Sequence, residues 1–228
     1  MENKNNCFLF NECNHRDCNK DFCMRLYKLN YLYGLALLSQ QQRKHISLVI
    51  DDDETDKEEF QNLKSIESNI LRFVENGENL YLHSRICGCG KTSWALRMIQ
   101  AYFNKIWQKS GLVCRALFIN VPRFLIELKD NISTKSGYIT YIKENVLNAD
   151  LVVWDEIGSK GLTQYEHENI LNLLNARLDM GKANIYTSNL SNEELHDSVG
   201  DRLYSRIVNN SIDIQLNGAD KRGIKNEL

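Results

Sequence analysis

Hydrophobic and polar positions along the chain follow two alternating periods. Residues 55–76 are amphipathic, with Phe60, Leu63, Ile66, Ile70 and Phe73 at helical spacing, and Gly77 closes the run. From there short apolar runs alternate with helical patterns. Residues 80–83 read as a strand, and 93–109 as a helix with Ala95, Met98, Ile99, Tyr102 and Ile106 on one side. Residues 114–120 form the next strand. Pro122 opens the helix after it, where a missing N–H costs no hydrogen bond. A helix over 138–146 precedes the apolar run 151–154. Thr163 and Glu166 form a capping box that starts a helix ending at Gly181. Residues 183–187 are a strand, Ser191 and Glu194 form a second capping box, and 212–216 are a last short strand. Upstream, 25–38 reads as a helix and 46–50 as a short extended segment. The acidic run 51–54 reads as a solvated loop. Strand–helix alternation of this kind predicts a parallel sheet with helices on both faces.

With 228 residues the chain can bury a full core, as one α/β domain over 51–228 plus an N-terminal appendage over 1–50. A net charge of −2 gives no footprint for tight duplex DNA binding, although a local basic groove is compatible with it. The densest apolar run, near 31–38, is far short of a membrane span, and the N-terminal residues do not form a signal peptide. These features predict a cytoplasmic protein. Its seven cysteines therefore read as metal ligands or free thiols, not disulfides.

Four of them, Cys7, Cys13, Cys18 and Cys23, fall close together, with His15 among them. Such spacing can close around one tetrahedral zinc ion, and His15 can replace Cys7 as the fourth ligand. The segment is too short and polar for a core of its own, so a metal would supply its stability. The alternative is a reduced cysteine-rich tail that holds no metal.

Two motifs carry chemistry. Gly88-Cys89-Gly90-Lys91-Thr92 lies between a strand and a helix. Glycines there let backbone N–H groups approach phosphates, Lys91 reaches the terminal phosphates, and the Thr92 hydroxyl can ligate Mg²⁺. The full phosphate-loop pattern has a further glycine where this chain has Arg85. Asp155 and Glu156 follow an apolar strand, and adjacent carboxylates are costly to desolvate unless a cation or donors meet them. Asp155 reads as the Mg²⁺ ligand and Glu156 as the carboxylate that polarises an attacking water. Asn189, after the next strand, lies on the edge where open α/β sheets bind ligands, and can position that water. Arg202 and Arg206, four apart on one helix face, can neutralise charge in a neighbour's site.

The stretches GCGKTSWA (88–95), LFINVP (117–122), LVVWDEIG (151–158), YTSNL (186–190) and GDRLYSRI (200–207) resemble AAA+ ATPases of the DnaC/DnaI helicase-loader family, in the variety carried by phages and mobile elements. The resemblance covers about 79–216. It implies a P-loop AAA+ core with a parallel five-stranded sheet, and nucleotide contacts from Gly88, Cys89, Gly90, Lys91, Thr92 and Ser93. It places Asp155 and Glu156 at Walker B, Asn189 at sensor 1, Arg206 at the arginine finger and Arg202 beside it. It further implies ATP, Mg²⁺, single-stranded DNA, a replicative helicase as partner, and self-association through the ATP site. The N-terminal cysteine cluster suits a helicase-gripping module. The residues after Ile207 are too few for a full helical lid. Alternatives are an IstB-like transposition ATPase, an adaptor that binds nucleotide without turnover, and a small-molecule kinase.

Overall fold

The computed structural model describes residues 23–46, 48 and 55–220. Its centre is one five-stranded sheet, all parallel, in the order β2-β3-β4-β1-β5. In chain order the strands are β1 (Asn79–His83), β2 (Ala116–Asn120), β3 (Leu151–Asp155), β4 (Ala183–Ser188) and β5 (Ile212–Gln215). The middle strands β3, β4 and β1 are buried along their whole length because both faces are covered; they are apolar in their centres and carry polar residues such as Asn79, His83, Asp155, Thr187 and Ser188 at their ends. Alternate side chains sort to opposite faces. Leu151 and Val153 of β3 join one buried cluster, whereas Val152 and Trp154 join the other.

The first face carries α1 (Met24–Leu35), α2 (Lys57–Ser68), α3 (Ile70–Glu75) and α4 (Lys91–Ile106). Helix α1 is integral to this layer. Leu29 and Leu32 are fully buried in the same cluster as Leu80 and Ala95, and the Phe118 N–H donates to the Ala36 carbonyl. Each such leucine contributes about 2 kcal/mol relative to exposure. The second face carries α5 (Val121–Asp130), α6 (Gly137–Asn145), α7 (Gln164–Asp179) and α8 (Asn192–Ile207).

Both capping boxes form, with Thr163 and Glu166 at the start of α7 and Ser191 and Glu194 at the start of α8. Pro122 stands in the first turn of α5. The amphipathic stretch 55–76 is two helices, not one. At Asn69 the backbone leaves helical geometry (φ −103°, ψ 22°) while its side-chain amide donates to the Ser65 carbonyl at 3.0 Å. The turn redirects the chain so that Ile70 and Phe73 are buried. Among the described residues no helix follows β5, and none is long and apolar enough to cross a membrane.

Candidate functional site

Register brings the C-terminal ends of four strands together. Asn120 pairs with Asp155 across β2 and β3, Trp154 pairs with Tyr186 across β3 and β4, and His83 pairs with Ser188 across β1 and β4. The loop 84–90 leaves β1 and enters α4 at this edge, so the two motifs, remote in sequence, face one another.

Gly88 (φ 79°) and Gly90 (φ 107°) turn the loop through left-handed backbone that favours glycine. Lys91, at the first turn of α4, is 6% exposed. Its ammonium donates to the Ser84 carbonyl at 3.2 Å and the Ile86 carbonyl at 3.0 Å, with Cys89 Sγ at 3.6 Å. These bonds satisfy a charge that burial would otherwise penalise, and an anion arriving at this helix N-terminus would take the place of one of them. Thr92 lies one residue on, and its hydroxyl donates to Asp155 Oδ1 at 2.8 Å, joining the two motifs directly. Ser93 follows, half-buried, in the same turn.

Asp155 ends β3 at 4% exposure. The Thr187 hydroxyl also donates to its Oδ1 at 2.8 Å, and the Asn120 amide reaches its Oδ2 at 3.5 Å. Burial pushes this carboxyl above the ordinary range. The Thr187 and Thr92 donors pull it back, the neighbouring Glu156 charge adds to the rise, and Asn120 opposes it. Glu156 occupies the left-handed region (φ 61°), uncommon for a residue with a side chain. Its conformation is pinned by β4: the Glu156 N–H donates to Thr187 Oγ1 at 2.9 Å, and the Ile157 N–H to the Thr187 carbonyl at 2.8 Å. The Glu156 carboxylate accepts from Asn120 Nδ2 at 3.2 Å.

Asn120 and Thr187 are thus site residues that motif reading misses. The signal for Asn120 lies in its place: it ends β2 as Asp155 ends β3. Asn189 follows β4, half-buried, and bonds neither carboxylate; Thr187 does. Arg85, at the position of the absent glycine, makes a two-pronged pair with Glu194 of α8, Nε to Oε2 at 3.1 Å and Nη2 to Oε1 at 2.8 Å. Arg202 and Arg206 are not brought to this chain's own site. Both are exposed beyond a break in α8 at Gly200 (φ 75°, ψ 165°), and Arg206 Nε donates to Asn175 at 2.7 Å.

Thr92 and Asp155 form a hydroxyl–carboxylate pair of hard oxygen donors beside a phosphate-type loop. A buried carboxyl held above its ordinary range gains from a cation, so the donor set fits Mg²⁺. Of the expected zinc ligands, Cys7, Cys13, Cys18 and His15 lie outside the described residues. Cys23 stands at the N-cap of α1, where its Sγ accepts from the Leu26 N–H at 3.5 Å. Among the described residues no group of three or more His, Cys, Asp or Glu side chains could hold a metal ion.

A five-stranded parallel sheet of this order, flanked by helices on both faces, is an α/β fold of the AAA+-like kind. The chain belongs to the family of the IstB-like ATP binding protein, whose model matches residues 34–226. Its fold is similar to the crystal structure of the DnaC helicase loader, with TM-score 0.60, 20% identity, and coverage of 78% of this chain and 100% of that one. DnaI is similar too, with TM-score 0.60, 20% identity, and coverage of 81% and 94%. So is a putative primosome component from Streptococcus pyogenes serotype M3, with TM-score 0.59, 23% identity, and coverage of 84% and 98%. No curated protein matches the chain.

Proposed function

We propose that this chain is an ATPase that loads a replicative DNA helicase onto single-stranded DNA, with ATP held between neighbouring subunits. The observation that carries the reading is the bond from Thr92 to Asp155, which closes the phosphate loop against the carboxylate strand with Glu156 alongside. In this mechanism the loop N–H groups and Lys91 bind the phosphates. Thr92 and Asp155 are the residues that would hold Mg²⁺, which would neutralise phosphate charge when bound. Glu156 orients the attacking water and takes its proton. Glu156 Oε2 accepts from the Asn120 amide at 3.2 Å, which orients the carboxylate and leaves Oε1 to accept from the water. Asn189 positions the same water from the end of β4. Arg206, with Arg202 beside it, reaches the site of the adjoining subunit, consistent with its exposure and with its bond to Asn175 of α7 in place of a partner at its own site.

The helicase contact is assigned to the cysteine-rich part of residues 1–50 ahead of α1, where a zinc ion would serve as staple, and the ATPase unit to 51–228 together with α1, which packs in its core. The fold likeness to DnaC, DnaI and a primosome component supports the helicase reading. The family match supports a second one, an IstB-like ATPase that serves a transposase. Capture from host lysate with and without ATP separates them. Recovery of a replicative helicase in one nucleotide state upholds the first; recovery of a transposase in its place upholds the second.

A further inference from the structure

The segment after β5 folds back over the phosphate loop. The Leu216 N–H donates to the His83 carbonyl at 2.9 Å, and its side chain is buried. The next two N–H groups, of Asn217 and Gly218, both donate to the Asp56 carboxylate at 2.7 Å. Asp56 is the N-cap residue of α2, yet makes no side-chain cap bond there; its carboxylate serves this segment instead. Two residues further on, the Asp220 carboxylate lies against Gly88. A β-carbon at Gly88 would meet Asp220 Oδ1 at 1.7 Å and Cγ at 2.4 Å. Gly88 therefore does more than turn the loop: its missing side chain makes room for this carboxylate.

A phosphate loop attracts anions through its N–H groups, its helix N-terminus and its lysine. Here an anion of the chain's own rests on it. ATP brings phosphates of the same sign to the same few ångströms, and like charges that close oppose one another.

We propose that residues 216–220 are a strap that restrains nucleotide entry. Asp220 competes with the triphosphate at Gly88, and Asp56 holds the strap in place. The proposal rests on the loop being an ATP site. Nucleotide binding then displaces Asp220 and loosens Asn217 and Gly218 from the start of α2, so that α2 registers occupancy of the site.

The test is the affinity of the full chain for a fluorescent ATP analogue, in wild type, Asp220→Asn, Asp220→Ala, Asp56→Asn and Lys91→Ala. Both Asp220 variants should bind on the order of tenfold tighter at low salt, a gain that shrinks as salt screens it. Asp56→Asn should shift affinity in the same direction by less. Hydrogen exchange at Asn217 and Gly218 should quicken when the analogue binds. Wild-type affinity in Asp220→Ala, or weaker binding, overturns the strap while leaving the ATP site intact. Binding in neither wild type nor the Asp220 variants overturns the ATP site and the strap with it.

Discussion

Asp155→Asn should make the nucleotide-free protein more stable and the enzyme inactive. The carboxylate is 4% exposed and burial raises its pKa. The sign follows from linkage. Between the unfolded pKa of about 3.9 and the raised folded value, the folded state binds more protons than the unfolded one, so stability falls as pH rises through that window. At neutral pH the full penalty of the buried charge is present. Asparagine removes the charge and keeps an oxygen to accept from Thr92 and Thr187, both 2.8 Å from Oδ1. The Asn120 amide faces Asp155 with its Nδ2, because its oxygen caps α5 by accepting from the Arg123 N–H at 3.2 Å, so the new amide must turn its one oxygen toward the hydroxyl donors and leave its nitrogen facing Asn120, and this trims the gain. The net gain should be about 1 kcal/mol, or about 2–4 °C in Tm for a chain of this size. Thermal denaturation without nucleotide or divalent cation reads it directly. The gain should be largest at neutral pH and fade toward acid, where the wild-type carboxyl is protonated. With Mg-ATP the order should reverse, since wild type gains a ligand that the variant has lost, and turnover should fall by on the order of 10²-fold or more. A variant that melts below wild type at neutral pH, or that hydrolyses ATP normally, would refute the reasoning.

Four other outcomes are expected. Lys91→Ala should abolish nucleotide binding by calorimetry, whereas Glu156→Gln should bind normally and lose turnover; equal ATPase rates in Glu156→Gln and wild type would remove its assigned role. Arg206→Ala should bind ATP as an isolated subunit but lose on the order of 10³-fold in assembled ATPase rate, and mixing it with Lys91→Ala should restore part of it. Burial alone would raise Glu67 and Asp213, but donors Lys64 and Arg97 on the first, and His83 and Asn192 on the second, hold both below the ordinary range; their stabilisation is complete above about pH 4–5, is lost as pH falls through the lowered values, and should shrink in acid melts of Glu67→Gln. Elemental analysis should find about one zinc per chain, lost in Cys18→Ser along with helicase capture but not ATP binding.

The inner strands of the sheet were legible because they are covered on both faces. Runs such as Leu151-Val152-Val153-Trp154 are apolar at every position, and each is bounded by turn or cap residues. The helix starts were legible where a local hydrogen bond defines them, at Thr163, Ser191 and Pro122. Asn69 was not, because Phe60 through Phe73 keep helical spacing straight across the break. Arg177 was not either. Its spacing on α7 is that of any helical arginine, yet it is wholly buried, with the carbonyls of Val146, Ala149 and Ala183 and the Asn184 side chain around it. Those acceptors come from separate segments, and only the finished packing gathers them.

The site divides on the same principle. Gly88 to Thr92 and Asp155–Glu156 are runs of neighbours, so their chemistry can be read along the chain. Asn120 and Thr187 act through register, because each is defined by which strand lies beside β3 and by how far that strand is slid. Arg85 shows the difference most plainly. Along the chain it is a departure, an arginine where a phosphate loop has glycine. In the fold it grips Glu194, the same carboxylate that closes the capping box at the start of α8. Further along α8, past the break at Gly200, stand Arg202 and Arg206. The residue that departs from the motif therefore ties the nucleotide loop to the helix proposed to serve the neighbouring subunit. An exposed pair of this kind contributes little to stability, about 0–1 kcal/mol, so its effect lies in position.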